Sequence, residues 1–258
     1  GSPTDGRRGR RRGLPLPRAD ACLITNIAAD HLGDYGINDV PALADAKFLV
    51  ARAVRPGGHL ILNADDPELV SRSAGFDGIL SWFGLSIGVQ DVARLQATGG
   101  HIAYVDNSVM MLAKDGETNA ILAVNDFVPA MKGAAKFNIY NALAAISLAA
   151  SLNLPTTAMT RALSAFTNSA DENPGRGNFM DLGGATILID FAHNPHGVTA
   201  LAQAVAGVPA NRRLFILGQA GDRSDDDSRE LARAVWTGHP DMVVIKELTH
   251  KMRGRNPG

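Results

Sequence analysis

The chain has one cysteine, Cys22, so no disulfide can form within it and no cluster of thiols can hold a metal. Cys22 sits in an apolar segment without a CxxC partner, which reads as core filling and not as a reactive thiol. Long apolar runs are missing too. None approaches the ~18 residues of a membrane-spanning helix, so no membrane partner is expected and a cytoplasmic location is the reading. Charge of one sign is not in excess, since 25 Lys and Arg against 26 Asp and Glu leave a formal net charge of −1. The one basic block, Arg7, Arg8, Arg10, Arg11 and Arg12 among glycines, has no interleaved aromatic residues, so no nucleic-acid partner is expected. The GLPLPRADA that follows is short and proline-broken, unlike the apolar core of a secretory signal. GxxxxGK[ST] appears nowhere, nor does GK followed by Ser or Thr, so nothing here wraps triphosphate in the P-loop manner. Internal repeats are absent as well.

What is present suits a soluble enzyme of two domains, with 258 residues, 45% of them hydrophobic and 20% charged. The run ACLITNI at 21–27 stops in a polar stretch and reads as a buried parallel strand. A helix is expected from Pro41 to about Val54, ended by Gly57 and Gly58, and then a strand over 59–63. Strand, helix and strand at this spacing make a βαβ unit and point to a mostly parallel sheet. ILSWFG at 79–84 reads as a further strand. Residues 101–124 read as a small antiparallel excursion with turns at Asp106-Asn107 and Asp115-Gly116. Helices are expected over 138–152 and from Pro155 to about Phe166, with TNSADENPGRG at 167–177 as a linker or exposed loop. Beyond it, ATILIDFAH, a helix over about 198–205, RRLFILG, a helix over about 227–237 and MVVIK alternate again, which predicts a second, smaller α/β domain.

Polar residues gather at three strand ends, where open parallel sheets leave a crevice unfilled by packing. They are TNIAADH at 25–31, NADDP at 63–67 and DFAHNPHG at 190–197. His31 follows Asp30, and Lys47 lies on the helix of the same unit; an imidazole with nearby oxygens suits a divalent ion that keeps water and phosphate in its other positions. Asn63, Asp65 and Asp66 read either as contacts to a nucleotide or as a helix N-cap ahead of Pro67. GDRSDDD at 221–227 reads either as a site for a basic substrate group or as a solvated loop.

In order, TNIAADHL at 25–32, Ala46-Lys47, LNADDP at 62–67, Phe83-Gly84 and FNIYNALAA at 137–145 resemble the central domain of the Mur ligase superfamily. PGR at 174–176, DFAHNP at 190–195 and GDR at 221–223 resemble its C-terminal domain. Within the superfamily, GDRSDDD, the ending KELTHKMRGRNPG and the opening RRGLPLPRAD are similar to the cyanophycin synthetases. The resemblance implies an α/β fold, namely an incomplete central domain with a mostly parallel sheet and then a smaller Rossmann-like domain. The expected boundaries are 1–13 for a basic, disordered N-terminus, 14–168 for a partial ATP-binding domain without its P-loop, and 169–258 for the C-terminal domain. The implied chemistry is amide-bond formation through an acyl phosphate with ATP and Mg²⁺, joining an amino acid, arginine, to an acidic peptide or cyanophycin-like acceptor. His31 and Lys47 are implied as catalytic metal-site residues, Lys47 being the lysine that many members carbamylate. Asn63 and Asn138 are implied near adenine, and Arg176, Asp190, His193 and Asn194 near phosphates and ribose. Helix capping is the alternative for Asn138 and Asn141, and a solvated helix face for Lys47. A homo-oligomer is compatible with all of this. The missing loop makes the chain read as a ligase fragment. The alternatives are another Mur-type ligase, for peptidoglycan precursor or folylpolyglutamate, and a non-catalytic nucleotide-binding or assembly module.

Overall fold

The computed structural model describes residues 18–29, 32, 36–97, 99–218 and 225–246. The arginine-rich N-terminus, His31, the GDR at 221–223 and the ending from Glu247 lie outside them. Two compact units divide the chain, one from residues 1–124 with 140–164 and the other from 125–139 with 165–258.

In the first unit, the apolar run at residue 21 is strand β1 (Ala19–Ile24), parallel to β2 (Val54–Asn63) with Leu23 opposite Ile61. Helix α1 (Val40–Phe48) joins them, its start capped by the Asp39 carboxylate, which accepts from the Ala42 N–H at 2.8 Å. It is shorter than its periodicity predicts, because Leu49–Ala53 tightens into a 3₁₀ turn, as helix ends often do. Gly57 and Gly58 lie inside β2 and do not end a helix. A Cβ on Gly58 would stand 2.7 Å from the Asp20 carbonyl oxygen, so glycine lets β2 come against β1.

Helix α2 (Pro67–Ser73) leads to β3 (Ile79–Gly84), and α3 (Val89–Gln96) leads to β4 (Gly99–Asp106). Strands β1 to β4 are all parallel. The predicted excursion follows as β5 (Val109–Lys114) and β6 (Glu117–Ala123), both antiparallel, completing a six-stranded sheet in sequential order. Its hairpins turn on Asn107-Ser108, one residue later than predicted, and on Asp115-Gly116. All four residues have positive φ, as mirror-type two-residue turns require. Leu60, Ile61 and Leu62 are consecutive and each 0% exposed, so both faces of the sheet are covered, the usual condition of a parallel sheet. The alanine-rich helix α4 (Lys136–Ser151) crosses from one unit to the other; its first-unit part buries Leu143 and Ile146 and ties Ser147 Oγ to the Trp82 carbonyl at 3.3 Å. Helix α5 (Thr156–Ala165) is fastened to β6 by Thr160 Oγ1 on the Ile121 carbonyl. Cys22 packs against this core, and burial pushes its thiol pKa up, as suits a filler.

One polar cluster sits inside the sheet. Ser81 Oγ lies 2.9 Å from His59 Nδ1 and 3.2 Å from His101 Nδ1, joining β2, β3 and β4 toward the amino ends of β3 and β4.

In the second unit, β7 (Arg176–Leu182) and β8 (Ala185–Asp190) form an antiparallel hairpin that turns on Gly183-Gly184. Strands β9 (Leu214–Leu217) and β10 (Met242–Ile245) pair in parallel, and Phe215, Leu217 and Val243 pack on α6 (Pro195–Ala206) and α7 (Asp225–Trp236) around Val198, Leu231 and Val235. The alternation predicted for this region is therefore present, with β7 as an additional strand whose first two residues lie within the segment expected to be a linker or loop. Among the described residues no helix is long and apolar enough to cross a membrane.

Candidate functional site

In a parallel sheet the carboxyl ends of β1, β2 and β3 share one side, and the NADD segment sits there at the end of β2. Each of its polar side chains holds a different neighbour. Asn63 Nδ2 donates to the Thr25 carbonyl at 3.0 Å, and its Oδ1 accepts from the Asp65 N–H at 2.9 Å. Asp66 Oδ2 accepts from the Ile27 N–H at 2.6 Å, while its Oδ1 accepts from the Glu68 and Leu69 N–H groups and caps α2. Asp65 Oδ2 accepts from the Leu85 N–H at 2.6 Å and from the Tyr140 hydroxyl at 2.7 Å. The capping alternative holds for Asp66, and the Asn63 amide is engaged at both ends within the chain. Asn63 and Asp66 are each 7% exposed, which a polar side chain tolerates only when it is bonded.

Lys47, exposed on α1, reaches the Asn26 carbonyl with Nζ at 3.4 Å. This puts its amine beside the loop that leads from β1 toward His31, which lies outside the described residues. Among the described residues no group of three or more His, Cys, Asp or Glu is placed to hold a metal. That is no obstacle to Mg²⁺, which takes one or two protein ligands and keeps its waters.

The second unit carries its own cluster, built on asparagines at every fifth position. Asn168 Nδ2 donates to the Arg176 carbonyl at 2.6 Å, and Asn173 Nδ2 donates to Asn168 Oδ1 at 2.9 Å. Asn178 Nδ2 donates to the carbonyls of Asn168 and Asn173, and its Oδ1 accepts from the Gly175 N–H at 2.6 Å. Asn168 and Asn178 are buried. Of the two readings of 167–177, the exposed loop holds, and its asparagines staple it into a turn that fixes Pro174-Gly175-Arg176. Its sequence signal was the Asn168, Asn173, Asn178 spacing, which composition alone hides among ordinary loop residues.

Arg176 leaves that turn exposed, with its guanidinium 5.2 Å from the centre of the Phe191 ring and no carboxylate partner among the described residues. Asp190 pairs with Arg176 across the hairpin. Its Oδ1 accepts from the Ala192 N–H at 2.7 Å, which leaves Oδ2 without a donor among the described residues. The Phe191 and His193 rings are 5.3 Å apart. Asn194 caps α6 by accepting from the Gly197 N–H at 2.7 Å, and so turns the N-terminus of that helix beside His193. Asn138 donates to the Pro129 carbonyl at 2.8 Å. A Cβ on Gly177, whose φ is +69°, would lie 3.4 Å from Asn168 Nδ2, 3.8 Å from Asn138 Nδ2 and 3.9 Å from Asp190 Oδ2, so these three side chains all border Gly177, and its left-handed backbone is what favours glycine there. An arginine with no carboxylate partner among the described residues, in register with a carboxylate that has one oxygen without a donor among them, is a donor and acceptor set that suits a phosphate and a sugar hydroxyl.

Comparison with known proteins agrees with the motifs. A family model described as the Mur ligase middle domain matches residues 7–149, and one described as the Mur ligase, glutamate ligase domain matches residues 175–256. A cyanophycin synthetase of Trichormus variabilis is 32% identical over 248 residues, which are 96% of this chain and 27% of that protein. The chain therefore spans about a quarter of the relative it matches. Among solved structures, MurF from Acinetobacter baumannii matches with a TM-score of 0.64 at 20% identity, over 88% of this chain and 47% of that one. E. coli FolC in complex with ADP matches with a TM-score of 0.59 at 20% identity, over 88% and 47% of the two chains. At these identities the likeness to the structures is one of fold, while the match to the middle-domain model covers more than half of the residues: this chain belongs to the Mur ligase family.

Proposed function

We propose that the chain is the rear part of an ATP-dependent amide-bond-forming ligase of the cyanophycin synthetase type, adding arginine to the side-chain carboxylate of aspartate in an acidic peptide or cyanophycin-like acceptor. The observation that carries this is Arg176, stacked on Phe191, without an acid partner among the described residues, and paired in register with Asp190. The similarity over 96% of the chain to a cyanophycin synthetase supports the choice of substrates.

In the proposed reaction an aspartate carboxylate oxygen attacks the γ-phosphorus of ATP, the bond from that phosphorus to the bridging oxygen breaks, and ADP leaves. The α-amine of arginine then attacks the acyl phosphate carbon. The tetrahedral intermediate collapses with loss of inorganic phosphate, and the amine gives up a proton as the amide forms. Arg176 offsets phosphate charge through its fork of N–H donors. Asp190 Oδ2 accepts from a ribose hydroxyl, with His193 and Asn194 alongside. Bound Mg²⁺ supplies charge neutralisation at the phosphates; His31 would hold one ion, and Lys47, as its carbamate, a second. Asn63 supports the base side by fixing the Thr25 and Asp65 backbone, to which it is bonded.

Calorimetric titration of the whole chain with Mg-ATP tests this. Binding is expected, and Arg176→Ala should weaken it about tenfold, the size of one charge-assisted hydrogen bond lost to solvent. His31→Ala should weaken it only when Mg²⁺ is present. Absence of binding at millimolar nucleotide in the unmutated chain would rule the proposal out.

A further inference from the structure

His59, Ser81 and His101 take no part in the reaction just described, yet the two imidazoles share one hydroxyl. Ser81 Oγ lies 2.9 Å from His59 Nδ1, 3.2 Å from His101 Nδ1 and 3.3 Å from the backbone nitrogen of His101. A hydroxyl donates once and accepts twice, so these three contacts use it up. It accepts from the His101 backbone N–H, accepts from one ring and donates to the other. The rings therefore cannot place their protons independently.

Burial decides which ring plays which part. His101 is 1% exposed, and its Nε2 has no partner within hydrogen-bond distance among the described residues. A proton there would be a buried donor without an acceptor, a costlier orphan than a spare lone pair. Neutral His101 thus keeps its proton on Nδ1 and donates to Ser81. The hydroxyl donates in turn to His59 Nδ1, and His59 holds its own proton on Nε2, which its half-buried position leaves to water.

His59 is also the ring that charges first as the pH falls. Burial and then Lys114, at the end of β5, push its pKa down, while Asp115 in the following turn opposes them. His101 is pushed further, to about 4, by burial and then by His59, with the Ser147 backbone of α4 opposing and Lys114 adding to the shift. The Lys114 amine is itself tied to the end of α4, at 2.9 Å from the Ala150 carbonyl and 2.6 Å from Asn153 Oδ1. A charged His59 carries protons on both nitrogens. Ser81 Oγ would then face three N–H donors with two lone pairs, and its own proton would have no acceptor. The count closes again when His101 Nδ1 becomes the acceptor.

We propose that Ser81 couples the tautomers of the two histidines, so that proton uptake at half-buried His59 moves the proton of buried, neutral His101 from Nδ1 to Nε2. In the balance, one proton passes from His101 Nδ1 to the hydroxyl oxygen and one from the hydroxyl to His59 Nδ1. The single proton gained from water ends on His101 Nε2. The chemistry at the strand surface is thereby reported as a new donor inside the sheet, where Ser147 of α4 acts on the ring.

Two-bond ¹H–¹⁵N spectra of the whole chain labelled with ¹⁵N-histidine read the state of each ring nitrogen, and His59→Gln and His101→Asn assign the two rings by the signals they remove. Between about pH 8 and about pH 5, His59 is expected to become doubly protonated with a midpoint below its ordinary value, and the bare nitrogen of His101 to change from Nε2 to Nδ1 with the same midpoint. In Ser81→Ala, His59 should titrate while His101 keeps one tautomer. In His59→Gln, which alters only the half-buried member and serves where Ser81→Ala does not fold, the His101 tautomer should no longer follow pH in this range. A His101 tautomer that stays constant while His59 titrates overturns the coupling. So does a switch that persists in His59→Gln, or double protonation of His101 before His59.

Discussion

Gly100→Ala is expected to destabilise the protein by about 3 kcal/mol or more, a large effect for adding one methyl group. Gly100 stands in β4 where the register against β3 shifts between Leu80 and Trp82. A Cβ built on it would lie 1.8 Å from the Leu80 carbonyl oxygen and 2.6 Å from Ser81 Oγ. The first of these is backbone, so relief requires the two strands to part, and the fully buried Ile102 follows two positions on. Urea unfolding provides the measurement, with Gly116→Ala as the companion. Gly116 has φ +82° in the β5–β6 turn and nothing within 4 Å of its notional Cβ. Its substitution should cost only the ~1–2 kcal/mol of a left-handed L-residue. A loss at Gly100 no larger than at Gly116 would show that β3 and β4 can yield, and that the close approach is not what requires glycine.

Acid should unfold the protein through His101, which is 1% exposed and whose Nε2 has no partner within hydrogen-bond distance among the described residues. Burial is the main cause that pushes its pKa down, to about 4 from an ordinary 6.5; His59 and Lys114 add to the shift, and the backbone of Ser147 opposes it. The folded state therefore binds fewer protons than the unfolded state between these values. Stability from this residue is fully present above pH 6.5 and is lost as the pH falls toward 4, where the folded form also takes up the proton. The loss over that window is about 3 kcal/mol, at 1.36 kcal/mol per pKa unit. His59, also pushed down chiefly by burial, adds to the loss in the same direction. The measurement is the urea midpoint against pH for the unmutated chain and for His101→Asn, which keeps a polar partner for Ser81 without titrating. A slope between pH 6.5 and 4 that persists unchanged in the variant would assign the acid sensitivity to other groups.

His59, Ser81 and His101 lie toward the opposite end of the strands from the NADD segment, so these two predictions probe the scaffold apart from the candidate site. Asn63, Asp65 and Asp66 show why the distinction matters. Their motif invites a reading as ligand contacts, and the structure uses nearly every one of their oxygens and nitrogens to hold Thr25, Ile27, Leu85, Tyr140 and the start of α2. A hub of this kind keeps the strand ends in place.

Much of the fold was legible in the sequence. The strand over 79–84, the alanine-rich helix, the antiparallel excursion and the α/β alternation of the second unit follow from apolar periodicity, proline and glycine placement and helix propensity, all properties of a few neighbouring residues. The ordered motifs carried the family in the same way. Other features depended on tertiary structure alone. Gly57 and Gly58 read locally as a helix stop, but the approach of β1 makes them part of a strand. TNSADENPGRG reads locally as a linker or exposed loop; it is a loop, and the hydrogen bonds of Asn168, Asn173 and Asn178 that close it into a fixed turn are not visible in that local reading. Tyr140 looks like any residue of a buried helix until Asp65 meets it from far along the chain. Local periodicity determines which face of an element is apolar; it carries no information on which distant donor will find which acceptor, because that depends on strand register and on where each crossover returns the chain.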